Sequence, residues 1–246
     1  MCDQAAPLSL LVRADATVTL NLLAIGATRP LLQHLIPIFE AETGHTVKAW
    51  FGPPVLIEEK MQSGEPADVV FSFEPKWSDM IRVGLIDPGV EIARAGVGVA
   101  VPKGAPRPDL STEAATRAFL LDTSLIAGTG FTDGSVGSWV LRALQQMGIA
   151  DAVLPKYKSF QTGTEIINAL ARGEVEAALS VMPDFADSTV VDYAGPFPLE
   201  VQQYEIARAT VGAASPNKQA GRLLISFVGH PGHRELIREK WLYPFN

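Results

Sequence analysis

Residues 126–140, Ile-Ala-Gly-Thr-Gly-Phe-Thr-Asp-Gly-Ser-Val-Gly-Ser-Trp-Val, are the stretch of this 246-residue chain whose residue types and spacing best suit the binding of an anion. An apolar strand is expected to end at Ala127, a Gly-rich turn follows, and Val136, Trp139, Val140, Ala143, Leu144 and Met147 recur at helical spacing after Ser135. A strand–turn–helix unit directs unpaired backbone N–H groups and the positive end of a helix dipole at one point, which suits an oxyanion or a carboxylate. No catalytic side chain is built into the stretch, and Gly128-Thr-Gly-Phe-Thr-Asp-Gly lacks the spacing of a dinucleotide fingerprint. The chain also shows no Ser-His-Asp order, no zinc spacing and no Walker motif.

Two more turns of this kind precede it. The apolar run Val18–Ile25 meets Gly26-Ala27-Thr28-Arg29-Pro30, where Pro30 fits the first helical turn and Leu31, Leu32, Leu35, Ile36 and Phe39 form an apolar face. Strand-like Thr46–Phe51 then meets Gly52-Pro53-Pro54, with Val55, Ile57 and Met61 behind it. Strands at 17–25, 46–51 and 68–72 alternate with helices at 30–43, 54–63 and 75–83, as in a mostly parallel sheet covered by helices. A long strand, 92–101, breaks the pattern, and a second α/β series follows to residue 181. Residues 203–213 repeat the character of 92–101. Two such strands bracketing an inserted unit predict two lobes joined by a double crossover, with a cleft between them that closes about a hinge. Gly96, Gly98 and Gly212 would absorb the backbone change.

Composition bounds the partners. A net charge of −7 and the absence of clustered Lys and Arg exclude a general nucleic-acid binder. No run approaches the ~20 apolar residues of a membrane span. One cysteine, Cys2, allows no internal disulfide. Residues 1–16 read as a flexible N-terminus, and the expected location is the periplasm if a leader has been removed and the cytoplasm otherwise. His230 and His233, in His-Pro-Gly-His, read as surface or capping residues, so no metal and no cofactor are expected.

The chain resembles the type II periplasmic solute-binding proteins of the molybdate-binding-protein-like group from about residue 17 to Phe245. The resemblance is carried by Gly26-Ala-Thr-Arg-Pro-Leu-Leu32, Phe39-Glu-Ala-Glu-Thr-Gly-His45, Gly64-Glu-Pro-Ala-Asp-Val-Val-Phe-Ser72, Arg94-Ala-Gly-Val-Gly-Val-Ala-Val101 and Ala143-Leu-Gln-Gln-Met-Gly148. It implies two lobes, each a mostly parallel sheet flanked by helices, spanning 17–93 plus 205–246 and 94–204. In molybdate binders a serine in the first turn, another in the second and a tyrosine hydroxyl from the far lobe hold the oxyanion; those places here carry Ala27, Pro54 and Val181. The branch with Arg-x-Gly-x-Gly-Val-Ala-Val, Gly-Ala-Pro-x-Pro-Asp and Gly-Ser-x-Gly-Ser is similar to aconitate isomerase and to binders of small organic acids.

The expected ligand is therefore a di- or tricarboxylate rather than molybdate. Arg29 and Arg94 would each grip a carboxylate, with Ser135, Ser138 and backbone amides taking another. The expected lining comprises Ala27, Thr28, Arg29, Gly52, Pro53, Ser72, Arg94, Ser135, Val136, Gly137, Ser138 and Met182. Trp50, Phe51, Phe73, Phe131 and Trp139 fall near strand ends, where one or two would wall the pocket. The resemblance implies a monomer that hands its anion to an ABC transporter permease. The alternative is a cofactor-free isomerase of an unsaturated polycarboxylate, for which Glu58, Lys60, Asp133 and Asp184 are the candidate proton carriers.

Overall fold

The run Thr19–Ile25 forms the first strand, β1, and its Leu, Ala and Ile side chains are covered on both faces, as a central parallel strand requires. The structure, a computed structural model, describes residues 17–74, 76–132, 135–240 and 242–244. After β1 a single 3-10 turn, Gly26–Thr28, leads into α1 (Arg29–Thr43), which buries Leu31, Leu32, Leu35, Ile36 and Phe39. The helix stops at Gly44, whose φ of 75° is the left-handed conformation that glycine takes at least cost. Strand β2 (Thr46–Gly52) pairs parallel with one edge of β1, α2 (Pro54–Gln62) follows, and β3 (Val69–Ser72) pairs parallel with the other edge. Helix α3 (Lys76–Arg82) closes this first series.

The Gly64-Glu-Pro-Ala-Asp stretch ends in a structural lock. Asp68, 3% exposed, accepts hydrogen bonds from the Asn21 backbone and side-chain amides, the Ser215 hydroxyl and the Asn217 amide, tying β1 and β3 to the segment that opens a C-terminal helix. Four donors on one carboxylate satisfy a group that would otherwise be costly to bury.

Strand β4 (Val90–Pro102) is long enough to serve both lobes. The second series then runs α4 (Glu113–Asp122), β5 (Ile126–Thr129), α5 (Val136–Gln146), α6 (Ala150–Val153), β6 (Tyr157–Phe160), α7 (Gly163–Ala171), β7 (Ala177–Val181) and β8 (Val191–Pro196). The chain returns through β9 (Tyr204–Val211), α8 (Lys218–Val228), α9 (Arg234–Glu239) and the short β10 (Tyr243–Pro244). Residues 90–96 of β4 pair with β9, whereas residues 97–102 pair with β7 and β8. At the changeover the Gln202 side-chain amide imitates a peptide unit: Val97 N–H donates to its Oε1 at 2.7 Å, and its Nε2 donates to the carbonyls of Val97 and Phe197.

The result is a two-lobed α/β molecule whose strand order is β2-β1-β3-β9-β4-β7-β5-β6, with β8 and β10 also on β4. The sheet is mixed. β1 with β2 and β3, and β5 with β6 and β7, are parallel; every ladder made by β4 or β9 is antiparallel. A satellite apolar cluster of Ile166, Ala169 and Leu170 with Ala178, Phe185 and Val191 fixes α7 beside β7. Residues 1–16, expected to be a flexible N-terminus, lie outside the described residues.

Candidate functional site

The carboxyl ends of β1, β2, β5, β6 and β7 open onto one cleft of about 570 Å³. Ligands of open α/β sheets sit at such ends because the following helices start there. The first series contributes Ile25 to Ala27 with Arg29 and Pro30, Phe51 to Val55, Phe73 and Lys76; the second contributes Thr129, Gly130, Thr132, Ser135 and Val136, then Ser159 to Thr164 with Ile167, and Val181 with Pro183 and Asp184. Ala27, Pro54 and Val181 all line it, so the three positions without a hydroxyl donor face the cavity together.

Arg29 is its principal cation. The guanidinium carbon lies 5.0 Å from the Phe51 ring centroid, a cation–π contact that holds the fork over β2's end. Among the described residues no carboxylate lies within ion-pair distance of it; Asp184 acts on it only through space. Lys76 also lines the cleft, but its Nζ is 2.7 Å from Glu58 and 3.4 Å from Asp79. The Glu58 hydrogen bond raises the Lys76 pKa, so this charge is neutralised within the wall.

Asp184 follows β7 and is partly buried. Its Oδ2 accepts the hydroxyl of fully buried Ser180 at 2.5 Å. Desolvation pushes its pKa up to about 6, against the opposing effects of the Ser180 hydrogen bond and the Arg29 charge. The carboxylate packs on Gly163, where a Cβ would fall 2.5 Å from Oδ2. Gly163 opens α7, whose start is fixed by a capping box: Thr162 Oγ1 accepts the Glu165 amide and Glu165 accepts the Thr162 amide.

The turn at 130–138 is more occupied than its sequence indicates. Ser135 caps α5 by accepting the Ser138 amide, and its hydroxyl lies 2.6 Å from both the Gly130 and the Thr132 carbonyl oxygens. The Gly137 amide donates to Thr129 Oγ1 at 2.7 Å, and the Ser138 hydroxyl donates to the Ser135 carbonyl. Ser135 and Val136 line the cleft, while Gly137 and Ser138 lie behind it with their donors engaged.

Of the other expected lining residues, Ala27, Arg29, Gly52 and Pro53 face the cleft. Thr28 and Ser72 are fully buried, their hydroxyls donating to the Ile25 and Phe73 carbonyls. Met182 is buried against Gly98. Arg94 is exposed on β4, opposite Ile206 and Tyr243 and away from the cleft. Lys60 pairs with Glu65 at 2.8 Å and stacks on Trp50, also outside the cleft. Asp133 lies outside the described residues. Of the aromatics, Phe51 and Phe73 wall the cavity, Trp139 packs edge-on to Phe73 from the core, and Phe131 stacks on Tyr157. His230 accepts the Gly232 amide as a cap, and His233 Nδ1 lies 2.8 Å from the Phe227 carbonyl, so it must donate. The segment Ser159–Thr164 was not singled out from the sequence, although Thr162-x-x-Glu165 is a legible helix-start signature.

Comparison with known proteins agrees with this architecture. The chain is 24% identical to the aconitate isomerase of a Pseudomonas species over 247 residues, covering 95% of this chain and 91% of that protein. Among solved structures it is similar to the periplasmic molybdate-binding protein of Azotobacter vinelandii, with a TM-score of 0.78 at 16% identity, covering 92% of this chain and 100% of that one. The sulfate-binding protein of Mycobacterium tuberculosis gives a TM-score of 0.75 at 18% identity, covering 93% and 88% of the two chains. No helix among the described residues is long and apolar enough to cross a membrane. Residues 20–240 match the family of bacterial extracellular solute-binding proteins, and the chain belongs to that family.

Proposed function

We propose that the protein captures a small organic anion, a di- or tricarboxylate in preference to molybdate, between its lobes, and that the lobes close on it about the strands near Val97 and Gln202. The observation that carries this reading is the joint placement of Ala27, Pro54 and Val181 on the cavity wall beside a guanidinium with no carboxylate in ion-pair distance among the described residues. A tetrahedral oxyanion there loses three hydroxyl donors at about 1 kcal/mol or more each. An arginine fork matches the two oxygens of a carboxylate, and the first-turn amides of α7, beside Ser159 and Thr162 on the opposite wall, can receive a second. The changeover of β4 between β9 and β7 supports lobes spanning 17–93 plus 205–246 and 94–204. In this reading the protein is a periplasmic monomer that delivers its ligand to an ABC transporter permease.

A second reading, isomerisation of an unsaturated polycarboxylate, is favoured by the likeness to aconitate isomerase and by a cleft carboxyl with a pKa of about 6, suited to moving a proton near neutrality. A thermal-shift screen of carboxylates and oxyanions, followed by NMR of each hit incubated with protein, tests both. Citrate-like acids should raise the melting temperature and remain unchanged, while molybdate and tungstate should not stabilise. An isomerised product would establish the second reading, and sub-micromolar molybdate binding would overturn the first.

A further inference from the structure

An anion site with a carboxylate in its own wall needs an explanation. Asp184 Oδ2 accepts a hydrogen bond from the Ser180 hydroxyl, and Ser180 is the one hydrogen-bond donor to Asp184 among the described residues. The other oxygen, Oδ1, belongs to a side chain that lines the cleft with Gly26 and lies 4.0 Å from where a Cβ on Gly26 would stand. An ionised carboxylate only accepts hydrogen bonds. A fully ionised oxyanion, or a polyacid whose every polar arm is a carboxylate, would therefore meet like charge at Oδ1 and leave it without a donor. A ligand that sets one carboxylate at Arg29 and a hydroxyl at Asp184 satisfies both walls.

Resting on the carboxylate reading above, we propose that Asp184 is a specificity determinant that makes the cleft select hydroxylated polycarboxylates and reject anions lacking a hydrogen-bond donor. Asp184 does this as an acceptor fixed in place: Ser180 holds one oxygen, and the carboxylate packs so close to Gly163 that a Cβ there would push it aside. Arg29 is the charged group that faces it from the opposite wall, close enough to act through space and too far to occupy Oδ1.

The test compares citrate with tricarballylate, which has the same three carboxylates and no hydroxyl, by calorimetry at neutral pH. The wild-type protein should bind citrate about tenfold tighter or more, because a site built around a hydroxyl leaves its own polar group unpaired with the deoxy acid. In Asp184→Asn the preference should shrink to about threefold or less, chiefly because tricarballylate gains affinity. Gly163→Ala, which displaces the carboxylate while favouring the helix, should erode the preference in the same way. Equal wild-type affinity for the two acids, or an unchanged preference in a folded Asp184→Asn protein, would overturn this assignment and leave the carboxylate reading intact. If neither acid binds, the carboxylate reading fails and this inference with it.

Discussion

At the scale of single residues, Asp184 links stability to selectivity. Burial raises its pKa from the ordinary 3.8 to about 6, so the folded protein holds this proton more tightly than the unfolded chain does. Stability therefore falls as the pH rises from about 4 to about 6, and the full cost of the ionised group is present above that window. Asp184→Asn is expected to stabilise the protein by roughly 1–2 kcal/mol at neutral pH, less than the full linkage value because the cleft admits water, with the gain disappearing below about pH 4. Denaturant melts at both pH values check this; destabilisation by Asn at neutral pH would contradict it. Ala27 and Arg29 were expected at the cleft because they follow the first strand, and Pro54 and Val181 were flagged through the family resemblance; all four line the cavity. Arg94 was expected in the cleft because it opens a crossover strand, but on β4 it is exposed opposite Ile206 and Tyr243, outside the cavity lining. Thr28 and Ser72 were expected to line the cleft, whereas both are buried with hydroxyls donating to neighbouring backbone carbonyls.

Among the elements, the order of strands and helices was legible because apolar periodicity changes sharply at each turn. β8 and β10 were not foreseen: one is six residues with a half-buried middle and the other is two residues long. The glycines of the crossover strands were expected to supply freedom, and the structure gives them a packing reason instead. A Cβ on Gly98 would lie 2.8 Å from Tyr193 and 2.9 Å from Met182, and one on Gly212 would lie 2.0 Å from the Ala67 carbonyl. The start of α5 follows the same logic, since its amides and hydroxyls are spent on holding the turn. Ser135→Ala is expected to lower stability by about 0.5–2 kcal/mol through loss of the cap, while changing ligand affinity by less than tenfold. Melting curves and a ligand titration on one preparation distinguish this from a direct ligand contact, for which affinity would fall with little loss of stability. Gly137→Ala should be worse for the fold, because its Cβ would lie 2.3 Å from the carbonyl oxygens of Thr129 and Gly130.

At the scale of the whole molecule, the two long crossover segments marked the bilobal plan in the sequence, but their antiparallel pairing could not be read there, since periodicity does not encode the direction of a partner strand. Closure about the segment near Val97 predicts a smaller radius of gyration when ligand saturates the cleft, measurable by small-angle scattering; an identical radius would argue against a hinge. Titration calorimetry of citrate and molybdate into the wild-type protein and Arg29→Leu shows what the cleft holds. Citrate should bind the wild type, molybdate should bind it far more weakly, and Arg29→Leu should cost the citrate complex about 2–3 kcal/mol, the loss of a charge-assisted pair. Tight molybdate binding, or citrate affinity untouched by Arg29→Leu, would contradict the carboxylate reading.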